Sequence, residues 1–250
     1  MRISRIQASD GTVTHAFADG DSWVPCSDPY EAFARGVEPT RQGEAVADAT
    51  LLAPSEPRIV VGIAQNGPEH PSPIQAWLKS PRTVVPSGTP VELRRNVGNV
   101  VVEGEVCVVI GRDAVDVSVE DAHTVILGLT AVNDISNPDR ASVDPRNFEG
   151  KGGVGYTPLG PWIETGADLA NAELEVRING ECRVLTGSHE LPAGVAECVA
   201  YVTSWVPLGP GDIIMTGAPK SAFAANPGDL IEITVAGVPL VTPCVWTSCV

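Results

Sequence analysis

In the stretch VVVEGEVCVVI, residues 100–110, Glu103 and Glu105 stand two apart in an otherwise apolar run. A strand alternates its side chains between faces, so both carboxylates would project from one face and Gly104 from the other. Continuous apolar flanks are the pattern of a strand covered on both sides. Two carboxylates buried side by side repel each other and lose hydration, so either one takes up a proton or a cation sits between them. The alternative is an edge strand whose glutamates face water. A third acid, Asp134, closes another apolar run, ILGLTAVND, and precedes the polar loop ISNPDRASVDPRN. At the tip of a buried strand it could complete a three-oxygen site with the glutamate pair; taken alone it also fits a loop cap. Ligation by carboxylates alone suits Mg2+ or Mn2+ better than zinc or copper.

Only three lysines occur, Lys79, Lys151 and Lys220. Lys151 sits in EGKGGVGYTPLGPW, where glycines let backbone approach a ligand closely. An amine there could neutralise an enolate or oxyanion, or relay a proton; a solvated loop lysine is the plain alternative. GKGG lacks the spacing of a phosphate loop and the hydroxyl residue after its lysine. There is no GxSxG elbow, no HExxH and no GxGxxG after a strand. The four histidines (His15, His70, His123 and His189) are scattered, which gives a histidine-based metal site little support.

The elements that must hold these groups are mostly strands. The 250 residues are 43% hydrophobic, enough apolar material to order the chain. Sixteen basic and 31 acidic residues give a formal net charge of −15, which repels nucleic-acid backbones and anionic lipid. The first twenty residues contain no signal-peptide core and no window approaches a spanning helix, so a soluble, cytoplasmic protein is expected. Six cysteines form no CxxC; Cys107 and Cys198 lie in apolar runs and read as buried thiols. Arg2–Ile6 and Thr12–Phe17, with turns at Asp10-Gly11 and Asp19–Asp21, predict an early hairpin or meander. A short helix is expected between Tyr30 and Leu52, and APSEP (Ala53–Pro57) reads as a linker. Residues 1–56 are therefore expected as a small N-terminal β-rich segment, and 57–250 as the core. Two PGD turns, at residues 210–212 and 227–229, each lead into a strand. Helices are predicted from Ser118 to about Gly128, behind a serine cap, and from Ala193 to about Trp205. The pattern predicts a mixed α+β, mainly β, roll or barrel-like core with few helices.

In order along the chain stand WLKSP, EGEVCVVIG, AVNDIS, GKGGVGYTPLGPWI, INGE, PGDIIMTGAP and PGDLIEITVAG. This ordered set, from about Arg58 to Val245, resembles the fumarylacetoacetate hydrolase superfamily, particularly members of the 2-hydroxyhepta-2,4-diene-1,7-dioate isomerase and acylpyruvate hydrolase type. The resemblance implies a mixed β-roll core and usually a homodimer. It implies Mg2+ or Mn2+ held by Glu103, Glu105 and Asp134, and an active-site lysine at Lys151. It further implies that Lys79 lines the site, with a substrate loop at Thr216, Gly217, Ala218 and Pro219. Its implied activity is on a 2-oxo acid or 1,3-dicarbonyl acid, chelated by a Lewis-acid ion that stabilises an enolate, leading to C–C hydrolysis, decarboxylation or isomerisation. Such a family commonly carries Tyr-x-x-His with a glutamate three residues on, a pair that activates water. Here the stretch reads GIAQNGPEHPSP: tyrosine is absent, Glu69 precedes His70, and three prolines disfavour a short helix. Glu69 and His70 remain the candidate catalytic pair of this segment. Ala141 and Ala218 replace a glutamine and a threonine of the family pattern. Loss of the usual pair lowers hydrolysis and raises decarboxylation and isomerisation. A catalytically inactive small-acid-binding protein of the same fold is the alternative.

Overall fold

The computed structural model describes residues 1–46, 48–69 and 73–247. Strand Val101–Ile110 is an interior member of a 13-stranded sheet. It pairs antiparallel with Ile126–Asn133 on one side and with Ile213–Met215 on the other. Valine and isoleucine dominate these runs because branched side chains pack well on a pleated, covered surface. All of Ile126–Asn133 is buried, as is Gly104–Ile110. The edge-strand reading of the glutamate pair therefore falls.

What covers these strands is a second, 5-stranded sheet containing Glu173–Ile178, Glu181–Gly187, Leu230–Val235, Val238–Trp246 and Val91–Leu93. Glu173–Ile178 and Leu230–Val235 alternate in burial, with one face turned to the core. Val102, Val106, Val176, Ile233 and Leu240 are fully buried in that core. Gly104 faces it too. A Cβ there would lie 2.8 Å from Val176 Cγ2 and 3.3 Å from Ile233 Cγ1, so the missing side chain is what admits the second sheet.

The early hairpin forms as Arg2–Gln7 and Val13–Asp19, extended by Ser22–Pro25. Arg2–Gln7 also pairs with Ile163–Glu164 and so joins the large sheet. Ala53–Pro57 has no regular secondary structure but is packed. Ser55 is buried, accepts from the Tyr30 hydroxyl at 3.2 Å and donates to Gly211 O at 2.5 Å. At the first PGD turn, Asp212 accepts from the backbone N–H groups of Arg58, Ile59 and Gly209 before Ile213–Met215 begins.

Among the described residues there are two α-helices, Pro29–Ala34 and Val195–Thr203. Asp28 caps the first by accepting from Tyr30 N and Glu31 N. The helix expected over Ser118–Gly128 does not form. Ser118 Oγ does accept from Asp121 N at 3.1 Å, but only a 3-10 turn, Ala122–Thr124, follows. Ile126 already starts a strand, because its apolar run is buried between two ladders and that pairing overrides the local cap signal. The result is a mainly β fold with few helices, as expected. The five described cysteines are free, and Cys107 and Cys198 are buried. No helix among the described residues is long and apolar enough to cross a membrane.

Candidate metal centre

The register of the two interior strands brings the three acids together. Val132 lies opposite Glu105 and Asn133 opposite Gly104. One step further, Asp134 N–H donates to Glu103 O at 2.9 Å, so Asp134 faces the same side as Glu103. One oxygen from each of Glu103, Glu105 and Asp134 lies within 4.8 Å of the other two. Asn133 points to the opposite side. Its Oδ1 accepts from Glu103 N at 3.2 Å, and its Nδ2 donates to Thr242 Oγ1 at 3.3 Å.

Two lysines answer these acids. Lys151 Nζ donates to Glu103 Oε2 at 2.5 Å and to Asp134 Oδ2. Lys79 Nζ donates to Asp134 Oδ1 at 2.5 Å, to Tyr156 O at 2.7 Å and to Ile135 O at 3.3 Å. All three of its protons are thus committed to protein acceptors. Expected to line the site, Lys79 instead lies behind Asp134, its side chain 1% exposed. Its ammonium holds the Asp134 carboxylate from within the fold. Burial alone would push Asp134 up, but Lys151 and Lys79 together hold it below the usual range. Glu105 is raised well above its ordinary value, first by burial and then by the charges of Asp134 and Glu103. Burial likewise raises Glu103, against the pull of Lys151. Lys151 is pushed up, because Asp134, Glu103 and Glu105 outweigh its own burial. Its ammonium stands beside Glu103 and Asp134 at the edge of the cluster.

Three carboxylates against two ammonium groups leave 2 − 3, one surplus negative charge when all are ionised. Hard oxygen donors, close spacing and a surplus of negative charge fit a hard divalent cation. Glu105 is prepared for it: Gly217 N–H donates to Glu105 Oε2 at 2.7 Å. Gly217 takes φ +102° and a Cβ there would lie 2.6 Å from Asn66 O, so only glycine lets this loop come so near. Thr216, expected at the substrate loop, is fully buried and spends its hydroxyl on Val106 O at 2.8 Å. It anchors the loop to strand Val101–Ile110; Gly217 and Ala218 are the loop residues that reach the cavity.

That cavity has a volume of about 720 Å³ and is lined by Glu103, Glu105 and Lys151 together with Glu69, Trp77 and Ala141. Glu69 thus shares the cavity with the acids. Gln65–Glu69 runs as turns and bends rather than as a helix. His70 lies outside the described residues. Sequence reasoning missed Asn66, whose buried amide donates to Thr216 O and Ala193 O and accepts from Ala193 N, each at 2.8 Å. No local pattern marks it, because its partners are more than a hundred residues away.

Residues 50–245 match the fumarylacetoacetate (FAA) hydrolase C-terminal family, and the chain belongs to it. Among solved structures, 2-hydroxyhepta-2,4-diene-1,7-dioate isomerase from Mycobacterium marinum is similar at a TM-score of 0.91 and 31% identity, with 100% of each chain covered. The structure of 5-carboxymethyl-2-hydroxymuconate delta-isomerase from Mycobacterium smegmatis gives a TM-score of 0.90 and 31% identity over 99% of this chain and 100% of that one. Oxaloacetate tautomerase YisK of Bacillus subtilis is 31% identical over 188 residues, 71% of this chain and 62% of that protein.

Proposed function

We propose that this chain is an Mg2+- or Mn2+-dependent isomerase of a 2-oxo acid, moving a proton between carbon and oxygen or between two carbons. The observation that supports it is the clustering of Glu103, Glu105 and Asp134, with the Lys151 ammonium beside them, at a cavity lined by Glu103, Glu105, Lys151 and Glu69. A hard cation held by Glu103, Glu105 and Asp134 would supply Lewis acidity to the carbonyl and carboxylate of such a substrate. Glu69 takes a proton from the carbon beside the carbonyl and delivers it to the substrate oxygen or to the second carbon, the work of a general acid–base. Lys151 faces the charge that develops on the substrate oxygen. Gly217 N–H and Lys79 hold Glu105 and Asp134 in place meanwhile. The names of the two mycobacterial isomerases and of the tautomerase, at about the same identity, favour this outcome over hydrolysis.

The second reading is an inactive binder of small acids, favoured by Ala141 and Ala218 at the cavity wall. Turnover decides between them. The full chain is assayed for enol–keto conversion of oxaloacetate and of 2-oxo acids with an unsaturated chain, with Mn2+ and with chelator. Metal-dependent conversion without C–C cleavage is the expected result. Cleavage products would move the assignment to hydrolysis or decarboxylation, and saturable binding without conversion would leave the binder.

A further inference from the structure

The loop that carries Lys151 is tied down at its backbone: Lys151 N–H donates to Asn147 O at 3.0 Å and Asn137 N–H to Gly150 O at 2.6 Å. Beyond the backbone, the lysine is held by three side-chain contacts. Two of those contacts are Glu103 and Asp134. The third is an aromatic face: Lys151 Nζ lies 5.0 Å from the ring centroid of Trp77. Trp77 stands in strand Gln75–Lys79, directly opposite Gly62 of strand Val60–Ala64. The indole occupies the space a side chain at residue 62 would need. A Cβ there would lie 2.2 Å from Trp77 Cζ2 and 2.5 Å from Cε2. The glycine lets the ring lie down across the neighbouring strand, and the ring presents an aromatic surface to the ammonium.

We propose that Trp77, seated on Gly62, is a positioning residue that holds the Lys151 ammonium at the rim of the carboxylate cluster. The ring quadrupole attracts a cation independently of the carboxylates, and the effect is larger where water is partly excluded; the Lys151 side chain is 15% exposed. A cation bound by the three acids competes with Lys151 for Glu103 and Asp134. It does not compete for Trp77. The ring therefore keeps the ammonium in the cavity when its other partners are engaged elsewhere. The placement stands on geometry alone, whereas its consequence for turnover rests on the function proposed above.

The test uses the full chain, with and without Mn2+, in four forms: unaltered, Trp77→Phe, Trp77→Leu and Gly62→Ala. Phe and Leu are close enough in size for their difference to report the aromatic face, and Gly62→Ala displaces the indole by contact while leaving both Trp77 and Lys151 chemically intact. The first readout is acylation of Lys151 by an amine-reactive acetyl ester, quantified by peptide mass spectrometry against the exposed Lys220. Trp77→Leu and Gly62→Ala should label Lys151 roughly threefold to thirtyfold faster than the unaltered chain, while Trp77→Phe stays close to it. The second readout is kcat: the same two variants should lose activity, Trp77→Phe should recover most of it, and Trp77→Leu should cost nothing further in a Lys151→Met background. Equal labelling in all folded forms, or an equal loss from Trp77→Leu with and without Lys151, overturns the proposal. If Trp77→Leu does not fold, Gly62→Ala carries both readouts. The expected labelling pattern with no turnover of any 2-oxo acid would refute the proposed function and leave the placement standing.

Discussion

Lys79 Nζ sits 2.5 Å from Asp134 Oδ1, and both side chains are 1% exposed. One lysine thus supports the third acid from within the fold while the other, Lys151, meets it at the cavity. Lys79→Met leaves Lys151 as the remaining counter-ion of Asp134 but strips a donor from the buried carbonyls of Ile135 and Tyr156. It should lower unfolding stability by about 1–3 kcal/mol, measured as a shift in denaturant midpoint. Lys79→Met with Asp134→Asn should be more stable than the sum of the two single losses predicts, because Lys79 no longer stays buried without its carboxylate.

Gly104 separates the two glutamates and faces the second sheet. Its backbone is extended, so alanine is tolerated there locally, and the cost comes from the Cβ against Val176 and Ile233. Gly104→Ala should destabilise the protein by about 1–3 kcal/mol. By pushing Glu103 and Glu105 out of register with Asp134 it should also weaken Mn2+ binding, which titration of the folded variant would show.

Much of this site is legible in the sequence, and the reason is the regularity of strands. Glu103-Gly104-Glu105 in an apolar run specifies a shared face and a close approach on the other, and both are present. Asp134 at the end of a second buried run is legible for the same reason. Lys79 is not, since nothing in WLKSP says whether its lysine points into the cavity or behind an acid; that depends on Ile135 and Tyr156 carbonyls far along the chain. Trp77 stands in the same motif, yet only its register with Gly62 shows what the ring does. The false helix at Ser118 has a simple origin. The cap signal is real, but the following residues are claimed by sheet pairing.

His15, on strand Val13–Asp19, packs edge-on against Tyr30 with ring centroids 5.8 Å apart. Burial pushes its imidazole below the ordinary value of 6.5; Asp28 opposes that shift and Arg5 adds to it. The folded state therefore stays neutral where the unfolded state gains a proton. Stability is lost as pH falls through about 6.5 toward the depressed folded value, and the effect vanishes above that window. Between about pH 8 and about pH 5.5, His15→Gln should lose less Tm than the unaltered chain does. Equal losses would show that His15 does not contribute.

Glu69 and His70 separate isomerisation from hydrolysis. If Glu69 moves the proton, Glu69→Gln should reduce kcat by roughly 10²–10⁴ with Mn2+ affinity retained. His70→Ala should then stay within about tenfold of the unaltered chain, below the usual general-base contribution. A loss of about a thousandfold from His70→Ala instead would give the histidine the base role and move hydrolysis ahead.

The most direct measurement is calorimetric titration of the full chain with Mn2+, repeated on Glu105→Gln and Asp134→Asn after each is shown to be folded. The three-carboxylate site predicts one ion bound per unaltered chain and loss of that binding in both variants. Binding that is absent from the unaltered chain, or unchanged in both variants, would contradict it.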